Sequence, residues 1–316
     1  MKILANDGIA PSGKEMLEAA GFTVVTEKVA QENLIEAINN QSYVAVLVRS
    51  ATKVRKDIID ACPGLKLIGR GGVGMDNIDV AYAREKGLHV INTPAASSHS
   101  VAELVFAHLM GMVRFLHDAN RNMPLEGESN FGALKKSYGA GQELKGKKIG
   151  IIGFGRIGQA TAKIALGLGM EVIAHNRTPK ELDITLDFYN GQTMNFPIKT
   201  VGMDELLSQS DFISLHMPAS DKPVLAAEEF AKMKDGVAVI NAARGGIVDE
   251  VALVDALDKG KVRYAGLDVF ENEPKPAVKL LMHPQVSLTP HIGGATAEAQ
   301  SRIGTELATQ MITLLK

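Results

Sequence analysis

The chain has 316 residues, 46% of them hydrophobic, with a formal net charge of −2 and a single cysteine, Cys62. That length exceeds what one hydrophobic core usually serves and predicts two domains, while the near-neutral charge gives no reason to bind nucleic acid or an anionic membrane. One cysteine excludes an internal disulfide, no apolar run reaches the ~18 residues of a membrane span, and MKILAND turns polar too early for a secretory leader, so the expectation is a cytoplasmic globular protein with a small-molecule partner.

Short Val/Ile/Leu runs alternate with longer amphipathic stretches, the pattern of parallel βαβ units, so the fold class is α/β. In chain order the first strands are Lys2–Asn6, FTVV, Tyr43–Ser50, LKLIG and Leu88–Pro94, enough for one doubly wound sheet. From Ser100 the spacing becomes helical for about twenty residues, with Ser100 and Glu103 placed as a capping box. NMPLEGESNFGALKKSYGAG reads as a Gly-rich polar link. A second domain then opens on KKIGIIG and continues through MEVIAHN, DFISLHMP, VAVINAARG, YAGLDVF and VSLTPHIGG. The closing ATAEAQSRIGTELATQMITLLK is one more amphipathic helix, expected to pack back on the first domain. The pattern predicts two Rossmann-like doubly wound sheets with a cleft between them. Residues 1–98 plus 288–316 would form a discontinuous, flavodoxin-like substrate domain, and 99–287 a dinucleotide-binding domain.

Residues capable of chemistry sit where strands end: Arg49, Arg70, His216, Arg244, Asp268, Glu273 and His291. Ligands of open α/β sheets bind outside the carboxyl ends of the strands, so one shared site explains the clustering. Gly153, Gly155 and Gly158 form GFGRIG between a strand and a helical stretch. The first glycine permits the tight turn, the second lets backbone approach a pyrophosphate, and the third allows close helix packing. Gly69, Gly71 and Gly74 in GRGGVG match the same spacing, but their flanks are less regular and read as a turn delivering Arg70. The fingerprint expects an acidic residue about twenty positions on. Asn176 stands there, followed by Arg177, so the carboxylate that excludes a 2′-phosphate is missing, and NADP(H) stands beside NAD(H) as cofactor. Arg177 as a plain solvated charge is the competing reading.

Hydride removal from a secondary alcohol needs a base for the hydroxyl proton and a cation for the carboxylate. His291, Glu273 and Arg244 supply these, since a carboxylate orients imidazole and favours its charged form, and guanidinium grips a carboxylate in two places. His216, with Met217 and Pro218 after it, reads as part of the cofactor site, and His99, His108 and His117 as residues of the connecting helix and its approach. No metal set is apparent.

VINAARGGIVDEVAL (239–253), LDVFENEP (267–274) and TPHIGG (289–294), with SVAEL and GFGRIGQ, are similar to the motifs of the D-2-hydroxyacid dehydrogenase family over nearly the whole chain. That resemblance implies Arg244, Glu273 (rather than Glu271) and His291 as the catalytic set. It implies cofactor contacts from Arg156, Ile157, Ala242, Ala243, Gly293 and, at the nicotinamide amide, Asp268, and it implies a homodimer. Within the family, VRSATKV and GRGGVGMDNID look like the branch that oxidises 3-phospho-D-glycerate to open L-serine biosynthesis. There Arg49 would hold the substrate phosphate, with Arg70, Gly72 and Val73 beside it. Interdomain salt bridges are the other reading of Arg49 and Arg70. The sequence ends at Lys316, without the C-terminal regulatory domains of longer members of that branch, so serine feedback through such a domain is not expected. Rival functions are a glyoxylate/hydroxypyruvate reductase and a nicotinamide-sensing corepressor.

Overall fold

The computed structural model describes residues 1–316. The chain divides into two compact units, Met1–Ser100 with Gly294–Lys316, and Val101–Gly293. The first unit carries five parallel strands: Lys2–Ala5 (β1), Thr23–Val25 (β2), Tyr43–Val48 (β3), Leu67–Arg70 (β4) and His89–Asn92 (β5), in the order β2-β1-β3-β4-β5. A parallel sheet needs both faces covered, and the pleat alternates accordingly. Leu4, Val46 and Ile68 enter one core with Leu34 and Ile58. Ile3, Leu47 and Leu67 enter another with Leu17, Ile303 and Leu307. The last two belong to the closing helix Ala297–Leu315, whose first turn is capped by the Thr296 hydroxyl accepting from Ala299 N–H. Strand order reverses between β1 and β3, which opens a crevice at their carboxyl ends.

The second unit holds Lys148–Ile152 (β6), Glu171–His175 (β7), Glu181–Asp187 (β8), Thr193–Lys199 (β9), Phe212–Leu215 (β10), Val237–Asn241 (β11), Val262–Leu267 (β12) and Val286–Leu288 (β13). Six of them form a parallel sheet in the order β13-β12-β11-β10-β6-β7. Its reversal lies between β10 and β6. β13 pairs with β12, so the chain leaves this unit at Gly293, later than the junction read from the sequence. The α/β class with two doubly wound sheets agrees with the alternation of the sequence.

Three local expectations are corrected. The twenty-residue connecting helix is two helices, Ser98–Val113 and Leu116–Glu126, broken where Phe115 takes a left-handed φ of +55°. Ser100 lies inside the first of them, and its hydroxyl meets Thr296 Oγ1 at 2.9 Å instead of forming a capping box with Glu103. The polar link is largely helical, in Leu116–Glu126 and Phe131–Ser137. β8 and β9 form an antiparallel hairpin that the strand reading lacked. No helix is long and apolar enough to cross a membrane.

Candidate active site

Along the carboxyl ends of the second sheet, from β13 to β7, lie His291, then Asp268 and Glu273, then Arg244, His216, Gly153 and finally Asn176. The nucleotide-type turn sits at the switch point between β10 and β6. Gly153 has φ +95°, and a Cβ there would collide with the His216 carbonyl, while a Cβ on Gly158 would collide with the carbonyl of Gly153. Gly155 differs: nothing lies within 4 Å of where its Cβ would be. Two glycines thus close the turn, and the middle one leaves backbone open to a ligand at the start of the helix Arg156–Gly167, whose unpaired N–H groups favour an anion. A dinucleotide pyrophosphate fits this cradle. GRGGVG, by contrast, leads into irregular chain until Val80 and offers no helix N-terminus.

At the end of β7, Asn176 Oδ1 accepts from Phe154 N–H at 3.2 Å and its Nδ2 donates to the Thr178 carbonyl at 2.8 Å. Lys180 Nζ reaches the Phe154 carbonyl at 3.3 Å. The backbone of Phe154 is therefore latched through both its N–H and its carbonyl to the segment that follows β7. Arg156 and Arg177 are exposed, Ile157 is half-buried, and no carboxylate stands at position 176. Sequence reasoning missed Lys180, because only the fold shows that it reaches the glycine turn.

His216 keeps some exposed surface, as does Met217, and Pro218 is exposed. His216 Nε2 meets Ser214 Oγ at 2.9 Å and Thr161 Oγ1 at 3.1 Å, and Nδ1 is sealed from water without a partner. Burial pushes its pKa down to about 3, so the ring is neutral at physiological pH. After β11, the buried Asn241 side chain staples the turn that delivers Arg244: Oδ1 accepts from Ala243 N–H at 3.1 Å and Nδ2 donates to the Arg244 carbonyl at 2.8 Å. Arg244 Nη1 donates to the carbonyl of Ala243, which like Ala242 is buried.

His291 Nδ1 lies 2.8 Å from Glu273 Oε2, and Glu273 Oε1 accepts from Phe270 N–H at 3.1 Å. Glu271 is engaged elsewhere, taking Glu250 N–H at 3.0 Å, so Glu273 is the one that pairs with the histidine. His291 takes φ +55°, uncommon for a side chain with a Cβ. Asp268, assigned by resemblance to the nicotinamide amide, is 1% exposed and holds this loop, accepting Gly293 N–H at 2.8 Å.

In the first unit, Arg49 follows β3 and Arg70 ends β4, with Val48 and Arg70 in register. Arg49 lines a hollow of about 610 Å³ at the β1/β3 reversal, together with Gly8, Ser12, Gly71 and Gln300. Arg70 Nη1 donates to the Gly71 carbonyl at 3.1 Å and lies over Gly72, where any Cβ would collide with it. The Val73 carbonyl is held by Asn92 Nδ2 at 2.7 Å. A carboxylate unnoticed in the sequence, Asp7, accepts from Arg49 N–H at 2.7 Å and from Thr52 Oγ1 at 2.8 Å. Burial works to raise its pKa, but these hydrogen bonds and the charge of Lys28 outweigh it and hold Asp7 below the usual carboxylate value. Asp7 thereby fixes the turn that presents Arg49.

Residues 106–293 match the family model for the NAD binding domain of D-isomer specific 2-hydroxyacid dehydrogenases. A hydroxypyruvate reductase of Thermotoga maritima is 44% identical, with 97% of this chain and 95% of that protein covered. A D-3-phosphoglycerate dehydrogenase of Methanocaldococcus jannaschii is 40% identical over 100% of this chain, which spans 58% of that longer relative. Among solved structures, a glyoxylate reductase from Paecilomyes thermophila aligns with a TM-score of 0.82 at 31% identity, covering 99% of this chain and 95% of its own. The chain belongs to the D-isomer-specific 2-hydroxyacid dehydrogenase family and is an NAD-dependent enzyme of it.

Proposed function

We propose that the enzyme oxidises 3-phospho-D-glycerate to 3-phosphooxypyruvate, the first step of L-serine biosynthesis. The observation that carries this reading is the pair Arg49 and Arg70 at the ends of adjacent strands, with Arg49 lining the hollow at the β1/β3 reversal. A terminal phosphate calls for guanidinium groups from separate strand ends. An unphosphorylated 2-oxo acid does not.

The chemistry falls to the second unit. Glu273 holds His291 Nδ1, which leaves Nε2 to take the proton from the substrate's C2 hydroxyl as the C2–O bond becomes a carbonyl. The Glu273 carboxylate stabilises the imidazolium so formed, and Phe270 N–H keeps that carboxylate turned toward the ring. Arg244 grips the C1 carboxylate and polarises the adjacent carbonyl oxygen. Gly153, Gly155 and Gly158 would hold the nicotinamide cofactor at its pyrophosphate, and when bound it would supply the acceptor for the hydride of C2. Asn176, Arg177 and Lys180 put no negative charge near the adenosine ribose, which supports use of NADP(H) as well as NAD(H). A homodimer is supported by Leu116, Leu125 and Phe131, exposed by 64%, 79% and 57% on one stretch of chain.

A second reading, reduction of hydroxypyruvate or glyoxylate, is favoured by the full-length similarity to the Thermotoga maritima reductase. The two differ in the phosphate. Nicotinamide absorbance with a panel of phosphorylated and unphosphorylated acids, run with each nicotinamide cofactor, separates them. The phosphorylated acid is expected to show the highest kcat/KM, and Arg49→Ala to raise its KM about tenfold or more with little change in kcat. Preference for glyoxylate or hydroxypyruvate, untouched by Arg49→Ala, would sink the phosphoglycerate reading in favour of the reductase.

A further inference from the structure

Behind the loop that carries His291 runs a line of hydrogen bonds that the reaction as described does not use. His108, in the helix Ser98–Val113, is 3% exposed. Its Nδ1 lies 2.8 Å from Ser287 Oγ and its Nε2 2.9 Å from Thr289 Oγ1. The Thr289 hydroxyl donates to Asp268 Oδ1 at 2.6 Å. That same oxygen accepts Ile292 N–H at 2.8 Å, Oδ2 accepts Gly293 N–H at 2.8 Å, and the Asp268 carbonyl accepts His291 N–H at 2.8 Å.

The proton positions follow from counting. A hydroxyl has one proton, and Thr289 gives its own to Asp268, so at the other contact its oxygen accepts and His108 Nε2 donates. Burial pushes the His108 pKa below its ordinary value, against the pull of the Asp268 charge and with the help of His117. The ring is therefore neutral, and Nδ1 accepts from the Ser287 hydroxyl. Every bond in the line then points one way, from Ser287 through His108 and Thr289 to Asp268. The line ends on the backbone of residues 291–293, where His291 is held at φ +55°. Such a conformation persists only where its surroundings over-determine it.

We propose that His108 is a positioning residue for the proton transfer, acting through Thr289 and Asp268 to hold the His291 loop in the geometry where Nδ1 meets Glu273. The proposal rests on the reading of His291 as the proton acceptor. A core histidine that only ties a helix to a sheet would have the same contacts, so the test must read more than stability.

The experiment is a double-mutant cycle on the full-length enzyme. His108→Leu, Thr289→Val and the conservative Thr289→Ser are made alone and in a His291→Asn background, with Kd for the reduced cofactor followed by its own fluorescence. Alone, His108→Leu and Thr289→Val are expected to lower kcat on the order of tenfold, with KM for the acid and the cofactor Kd within about twofold of the parent, and Thr289→Ser to restore most of the loss. In the His291→Asn background neither substitution is expected to cost anything further. Equal losses in both backgrounds, or a loss of cofactor affinity that tracks kcat, overturn the positioning role while leaving His291 as the acceptor. Unchanged turnover in His291→Asn alone overturns the acceptor reading, and the positioning role with it. If His108→Leu does not fold, the Thr289 pair carries the same test.

Discussion

Glu273 uses one carboxylate oxygen to take a backbone N–H and the other to meet His291. Glu273→Gln keeps the size but offers a single acceptor oxygen where Phe270 N–H and His291 Nδ1–H each need one, and it removes the charge that favours imidazolium, so kcat is expected to fall about a hundredfold with cofactor affinity intact. A loss below threefold, measured with the preferred acid, would show that neither the charge nor the second acceptor oxygen of Glu273 is needed for proton transfer. His216 offers a pH test. Its folded pKa of about 3 lies below the ~6.5 of an unfolded histidine, so its stability contribution is complete above the unfolded value. As pH falls from there the unfolded chain binds a proton that the folded one refuses, and stability drops by up to about 1.4 kcal/mol per pH unit. Urea unfolding of the parent and His216→Leu between about pH 7 and about pH 5 should therefore show the parent losing more; parallel curves would contradict a neutral ring whose Nδ1 is sealed from water. At this scale the pairing of His291 with Glu273 was legible, because strand ends concentrate chemistry and the motifs are specific. The contacts of Asp7, Asn241, Lys180 and His108 were not. Each works on a backbone or hydroxyl group that only folding brings within reach.

The elements that position the site were legible where they are buried on both faces. The runs of β3 and β11 are apolar almost throughout, and such runs admit little but a parallel sheet strand. The hairpin of β8 and β9 had its own signal, Asn190–Gly191 between alternating flanks, with Gly191 at φ +82°. The break at Phe115 had none, since neither glycine nor proline marks it and the helical spacing runs on. Packing between the helix Pro11–Ala19 and the closing helix Ala297–Leu315 rests on small residues: a Cβ on Gly13 would collide with the carbonyl of Gly304. Helix propensity favours Gly13→Ala by about 1 kcal/mol, but a clash with backbone cannot be relieved by turning a side chain. Net destabilisation of about 1–3 kcal/mol is expected from urea unfolding, and a more stable variant would mean that the two helices slide apart freely.

For the molecule as a whole, division of labour is the testable consequence of two units with separate cores. The proposed phosphate recognition belongs to Arg49 in one, and nucleotide recognition to the glycine turn and Asn176 in the other. Asn176→Asp restores a carboxylate that repels a 2′-phosphate and accepts from a ribose hydroxyl, so the ratio of kcat/KM for NAD to that for NADP is expected to rise about tenfold or more. Arg49→Ala should leave that ratio alone while raising KM for the phosphorylated acid. Combined in one chain, the two effects should multiply to within about twofold, because substitutions that share no partner add in free energy to within about 0.5 kcal/mol. Steady-state kinetics on the four proteins decides it. A cofactor ratio that moves with Arg49→Ala, or a double variant far from the product of the singles, would mean that acid and nucleotide are recognised by one coupled set of contacts and that neither unit sets its own specificity.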